Sequence, residues 1–93
     1  MTRDQAIIAV AALRSGEYVQ RRDCIGDYWS NSHCCIGVAA KANGCPAFYV
    51  TMNAANFIEL TDYQKQEWID WNDKQLLSFN EIADRIEIQW GLK

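Results

Sequence analysis

A chain of 93 residues with one proline, five glycines and one histidine leaves out several kinds of chemistry. It has no glycine-rich phosphate loop, so the backbone cradle of a P-loop enzyme is missing. The single histidine, His33, adjoins Cys34, and neighbours in sequence seldom have the geometry of a nucleophile and its base. No Ser-His-Asp spacing and no paired-carboxylate motif accompanies it. These absences predict no catalytic residues and a protein that is not an enzyme. Nine basic residues against twelve acidic ones give a net charge of −3, which argues against binding a nucleic acid polymer. No apolar run approaches the roughly 18 residues that a membrane helix needs. Asp4 and the missing cleavage pattern argue against a signal peptide, so the expected location is cytoplasmic. Repeats, linkers and low-complexity segments are also missing.

What is present points to one globular domain over residues 1–93. Hydrophobic residues make up 49%, with four Trp, four Tyr and three Phe. A chain of this size buries roughly 60 to 65% of its unfolded surface, enough for a single core. So heavy an aromatic load leaves some rings at the surface, where they mark a binding face or a subunit contact. Of the four cysteines, Cys34 and Cys35 are adjacent and followed by an apolar run. Neighbouring cysteines point in different directions and lack the two-residue spacing of a zinc knuckle. Cys24, His33, Cys34 and Cys45 supply enough ligands for zinc but not its spacing, so reduced, buried thiols and no metal are expected.

The periodicity predicts an α+β fold, three to four helices packed around a small β-hairpin. A first helix spans residues 2–15, with Thr2 as N-cap and Gly16 just past its end. Its unbroken apolar run implies that most of its circumference is covered. Residues 17–23 read as a strand, with a turn at 23–27 and a returning strand through Tyr28, Trp29 and Ser30. A second helix spans residues 32–43, stopped by Gly44 and Pro46. Residues 45–52 read either as a short strand or as an extended loop. Thr61 to Gln64 and Ser78 to Glu81 have the spacing of capping boxes, each opening a helix. The first of these helices runs to about Trp71, and residues 72–75 form a loop. The second carries Phe79, Ile82, Ala83, Ile86 and Trp90 on one stripe. Trp90 and one of Trp68 and Trp71 belong to the core; the remaining tryptophan, with Tyr63 or Phe57, is available for a homodimer seam.

The expected hairpin holds the one set of residues that suits a ligand. Tyr18, Gln20, Arg21, Arg22, Tyr28 and Trp29 combine rings with guanidinium donors and an amide. Arginine gives phosphate two charge-assisted bonds and aromatic rings stack on a base, so the set suits a nucleotide. His33 and Arg14 complete the candidate binding residues. The plainer reading is an ordinary strand, its tyrosines packed on the first helix and its arginines solvated.

Several segments, in order, resemble a family of small phage and prophage proteins. They are Ala12 to Gln20 (ALRSGEYVQ), Cys34 to Val38 (CCIGV), Leu60 with Asn72-Asp73, and Ser78 to Glu87 (SFNEIADRIE). Members of that family carry a longer segment between the double cysteine and the Asn-Asp pair; here it is short. The resemblance implies a phage origin and hence action in a host cytoplasm. Small phage accessory proteins of this kind are often counter-defence factors that mask a host immune protein or sequester a nucleotide signal.

Taken together, these readings predict sequestration of a nucleotide-derived immune signal, cyclic ADP-ribose-like or a cyclic nucleotide, without cofactor. A core this small has little room for an enclosed nucleotide pocket, so a homo-oligomer is expected, most simply a dimer with the pocket near the subunit contact. Two other classes stay open: a protein–protein inhibitor of a host effector, anti-CRISPR-like, and a structural or regulatory phage protein.

Overall fold

The computed structural model describes residues 1–22, 32–46 and 54–93. In chain order they form α1 (Arg3–Arg14), β1 (Val19–Gln20), β2 (Ser32–His33), α2 (Cys35–Ala42) and α3 (Ala54–Phe57). Then come α4 (Asp62–Ile69), a π-helical turn (Asp70–Lys74) and α5 (Phe79–Gln89). Three of these helices start where a hydroxyl can accept from the backbone. Thr2 Oγ1 accepts from Gln5 N at 3.1 Å while Gln5 Oε1 accepts from Thr2 N at 2.9 Å. Thr61 with Gln64 and Ser78 with Glu81 repeat that reciprocal pair at α4 and α5. Each box satisfies two amide donors that the helix cannot partner. Gly16 takes the left-handed conformation (φ +78°) that ends α1, where a side chain would be strained.

α2 lies at the centre, packed against α1, α3 and α4. Every residue from Cys35 to Ala40 is buried, and the small side chains of Gly37, Ala39 and Ala40 keep that helix narrow. α1 lays Ala6, Ala9, Val10 and Leu13 into the core, and α5 adds Ile82, Ala83 and Ile86. Each large apolar side chain so buried contributes about 1.5–3 kcal/mol relative to exposure. Trp68 is wholly buried, stacked on Trp71 at 6.5 Å between ring centroids and edge-on to Trp90 at 6.0 Å. Its indole N–H donates to Gln89 Oε1 at 3.3 Å, and that of Trp90 donates to Met1 O at 2.9 Å. Those bonds let large rings enter the core without stranding a donor.

Helices dominate the described residues, which is the coarser part of the α+β expectation. The strand pairing is different from a hairpin. Val19 pairs with Ser32 and Gln20 with His33 in parallel, extended by a bond from Arg21 N to His33 O at 2.9 Å. The returning strand through Tyr28 and Trp29 falls outside the described residues, as does the 47–52 stretch whose strand character was open.

Four other expectations are corrected. α2 starts at Cys35 rather than Ser32, because Ser32 and His33 are held extended against β1. α1 is not covered all round, since Ile7 and Ile8 are exposed. Residues 72–74 are not loop but part of the π-helical turn, closed by Gln75 N donating to Asp70 O at 2.8 Å. Trp71 is buried like Trp68, so neither tryptophan is left over for a seam, whereas Tyr63 and Phe57 are exposed.

Candidate functional site

β1 is only two residues long, yet its alternation decides which side chains face the protein and which face outward. Val19 points out and is exposed; Gln20 points in. The Gln20 amide donates from Nε2 to Asn72 Oδ1 at 3.0 Å and to Leu77 O at 2.7 Å. Asn72 is wholly buried, and all four hydrogen-bonding positions of its side chain are filled. Oδ1 accepts from Gln20 and from Cys35 N at 3.3 Å. Nδ2 donates to Arg21 O at 2.9 Å and to Asp73 Oδ1 at 2.7 Å. One side chain on the π-helical turn thus ties together the strand, the first residue of α2 and its own neighbour.

The next segment doubles back along β1. Leu77 N donates to Trp71 O at 2.9 Å, and Leu76 sits in the left-handed region at φ 56° with its side chain exposed. A non-glycine residue there costs on the order of 1 kcal/mol and persists only where its surroundings fix it. Here the surroundings are Arg22, whose Nη2 donates to Leu76 O at 3.3 Å, and Gln20 on the carbonyl of Leu77.

The predicted site residues therefore divide. Tyr18, Gln20, Arg21, Arg22 and His33 come together at the strand pair. Arg21 and Arg22 are exposed, and the backbone of Arg21 is fixed on both sides, by His33 O and by Asn72. Tyr18 is half-buried, its ring edge-on to His33 at 5.9 Å between centroids and 5.7 Å from the Lys41 ammonium. Burial, and then the nearby Glu17 charge, push its phenol above the ordinary range. His33 is wholly buried, so its ring is part of the support beneath the site rather than its surface. Arg14 is turned elsewhere. Its guanidinium bonds Asp84 at 2.5 Å and Glu87 on α5, with Asn80 O at 3.4 Å. Those carboxylates hold it charged by hydrogen bonding first and charge second. Tyr28 and Trp29 lie outside the described residues.

The described thiols have little reactive character. Cys34, Cys35 and Cys45 are buried. A cysteine in the first turn of a helix ordinarily has its pKa lowered. For Cys35 burial outweighs that and pushes the thiol well up, with the adjacent Cys34 adding in the same direction. Its Sγ lies 3.5 Å from Trp68 O. Among the described residues no group of three or more His, Cys, Asp or Glu side chains could hold a metal ion.

Two depressions formed by described residues lie away from the strand pair. One, of about 380 Å³, follows α4 past Tyr63, Gln66, Glu67 and Asp70. The other, also about 380 Å³, runs along α1 and α5 past Arg3, Ile7, Val10 and Leu92. Neither contains a predicted site residue. Asn72 and Leu76 were missed by sequence reasoning. Asn72 stands four residues after Trp68, on the row that buries Trp68 and Trp71, and that spacing is the signal that could have placed it inside. Leu76 carries no signal of its left-handed backbone. In comparisons with protein families, curated proteins and solved structures, the chain matches none.

Proposed function

We propose that this is a small, non-enzymatic phage counter-defence protein that sequesters a nucleotide-derived signal at the corner formed by β1. The observation that carries the reading is the exposed Arg21, its backbone held from both sides, followed directly by the exposed Arg22. A guanidinium on a fixed backbone suits phosphate oxygens, because little ordering remains to be done on binding, and Arg22 adds a second positive charge next to it. The half-buried Tyr18 ring, at the start of the same segment, offers an apolar edge, and Tyr28 and Trp29 are assigned to the base. Burial of the described thiols and of His33 suits a binder rather than a catalyst.

The size of the effect is adequate. A ligand of about 35 non-hydrogen atoms at roughly 0.3 kcal/mol each gives about −10 kcal/mol, or tens of nanomolar. A dimer is also proposed, and the exposed Ile7 and Ile8 on α1 give it apolar surface to cover. The test is capture and release. Protein incubated with cyclic ADP-ribose, or with a panel of cyclic nucleotides, is desalted, heated and spun. Mass spectrometry should recover the intact molecule in stoichiometric amount. A chemically altered product would make the protein an enzyme, and no capture across the panel would reject sequestration.

A second reading, inhibition of a host effector by direct protein contact, rests on a different observation. Val19 and Leu76 are large apolar side chains 67% and 61% exposed on the segments that meet at this corner. It predicts no capture of any nucleotide and loss of inhibition in Leu76→Asp.

A further inference from the structure

We propose that Asn72 is the positioning residue of the β1 corner, setting the path of the backbone from which Arg21 and Arg22 project. The inference rests on the binding reading above and extends it to a residue that touches no ligand. Asn72 is wholly buried, yet its carboxamide meets two donors with its oxygen and two acceptors with its nitrogen. Only one orientation of the amide satisfies all four, so the group has a defined direction as well as a place. Three of its four partners belong to other segments: Gln20 on the strand, Arg21 directly after it, and Cys35 at the start of α2.

The geometry makes the assignment specific. Arg21 N is committed to His33 O and Arg21 O to Asn72 Nδ2, so both peptide groups flanking the first guanidinium are pinned. Arg22, one residue on, is pinned through its side chain to Leu76 O, on the loop that leaves the same π-helical turn. Two-residue strands offer too few ladder bonds to hold a register alone. The buried amide supplies the missing restraint. Removing it strands Arg21 O and Cys35 N and frees the strand to slip or fray.

The experiment compares Asn72→Ala with Ile82→Val, a core change in α5 away from the strand. Two readouts are taken: amide hydrogen exchange and the affinity of cyclic ADP-ribose. Positioning predicts exchange at Arg21 and Cys35 faster by at least tenfold in Asn72→Ala, beyond any change shared with α5, and affinity weakened at least tenfold. Ile82→Val should raise exchange evenly and change affinity less than threefold. If Asn72→Ala does not fold, Gln20→Leu removes one of the four bonds and should show the same local pattern at smaller size. Uniform exchange in the folded variant overturns the role of Asn72. Local exchange with unchanged affinity overturns positioning while leaving binding intact. Failure of the unaltered protein to bind overturns the binding reading and with it the positioning role, and exchange then still reports whether the amide holds the strand.

Discussion

The two C-terminal helices and the β1 corner are stabilised in opposite ways. From Thr61 onward, α4 and α5 are specified locally, by capping boxes at Thr61 and Ser78 and by an apolar stripe of regular period. The β1 corner has no such local support. Its strands are two residues long, its loop contains a strained Leu76, and its order depends on an amide more than fifty residues away in sequence. Local specification makes robust elements that most solvent-facing substitutions away from the caps leave in place. Long-range polar restraint makes a corner whose geometry can be altered by one side chain, which suits a place where binding is set.

Substitutions separate the two regimes, beginning with the largest expected effect. Trp68→Ala empties the centre of the core and should cost about 3–5 kcal/mol in urea unfolding, with Trp71 and Trp90 losing their ring partner. A loss under about 1 kcal/mol would mean that the C-terminal helices do not share one core. Asn72→Ala should cost about 2–3 kcal/mol by leaving buried partners unmet, with the change concentrated at the strand pair. Ser78→Ala should cost about 1 kcal/mol, confined to the first turn of α5 as seen by amide exchange. Spread of either change across the whole molecule would erase the contrast between local and remote support. Smallest is Arg14→Ala, whose partners are exposed or partly so; its effect on the melting temperature should fade in high salt.

Protonation sharpens the same contrast. The Cys35 thiol is raised by burial, so its contribution is fully present below the unfolded thiol range of about pH 8.5. It is lost as pH rises above that range, because only the unfolded chain then releases the proton. Asp84 runs the other way. Its carboxyl is lowered, first by the hydrogen bond from Arg14, so its contribution is present above about pH 4 and lost in stronger acid. Melting temperatures should therefore fall on the alkaline side, and Cys35→Ala should flatten that fall; an unchanged alkaline slope would contradict the burial of this thiol. With Cys34, Cys35 and Cys45 buried, a thiol reagent should titrate no more than one of the four cysteines before denaturant is added.

How far the sequence could be read follows from the same physics. Thr2, Thr61 and Ser78 announce their helices because a cap needs only residues three apart. The stripe of Ile82, Ala83 and Ile86 is equally local. The parallel register of Val19 with Ser32 is not, since it is fixed by the Asn72 amide and by the Arg21–His33 bond across distant segments. Gln20 was read as a ligand donor from its residue type, and the fold spends that amide on Asn72 and Leu77 instead. Arg14 likewise reads as a phosphate donor until α5 brings Asp84 and Glu87 against it. Among the described members of the set, Arg21 and Arg22 are exposed, Arg22 with one bond to Leu76 O.

The most direct test is isothermal titration of cyclic ADP-ribose into the intact protein and into an Arg21→Ala, Arg22→Ala double variant of unchanged melting temperature. Saturable binding at about tens of nanomolar is expected in the first, and an affinity at least a hundredfold weaker in the second. Equal affinity in both would place the ligand elsewhere on the molecule, and no heat in either would contradict the claim that this corner receives it.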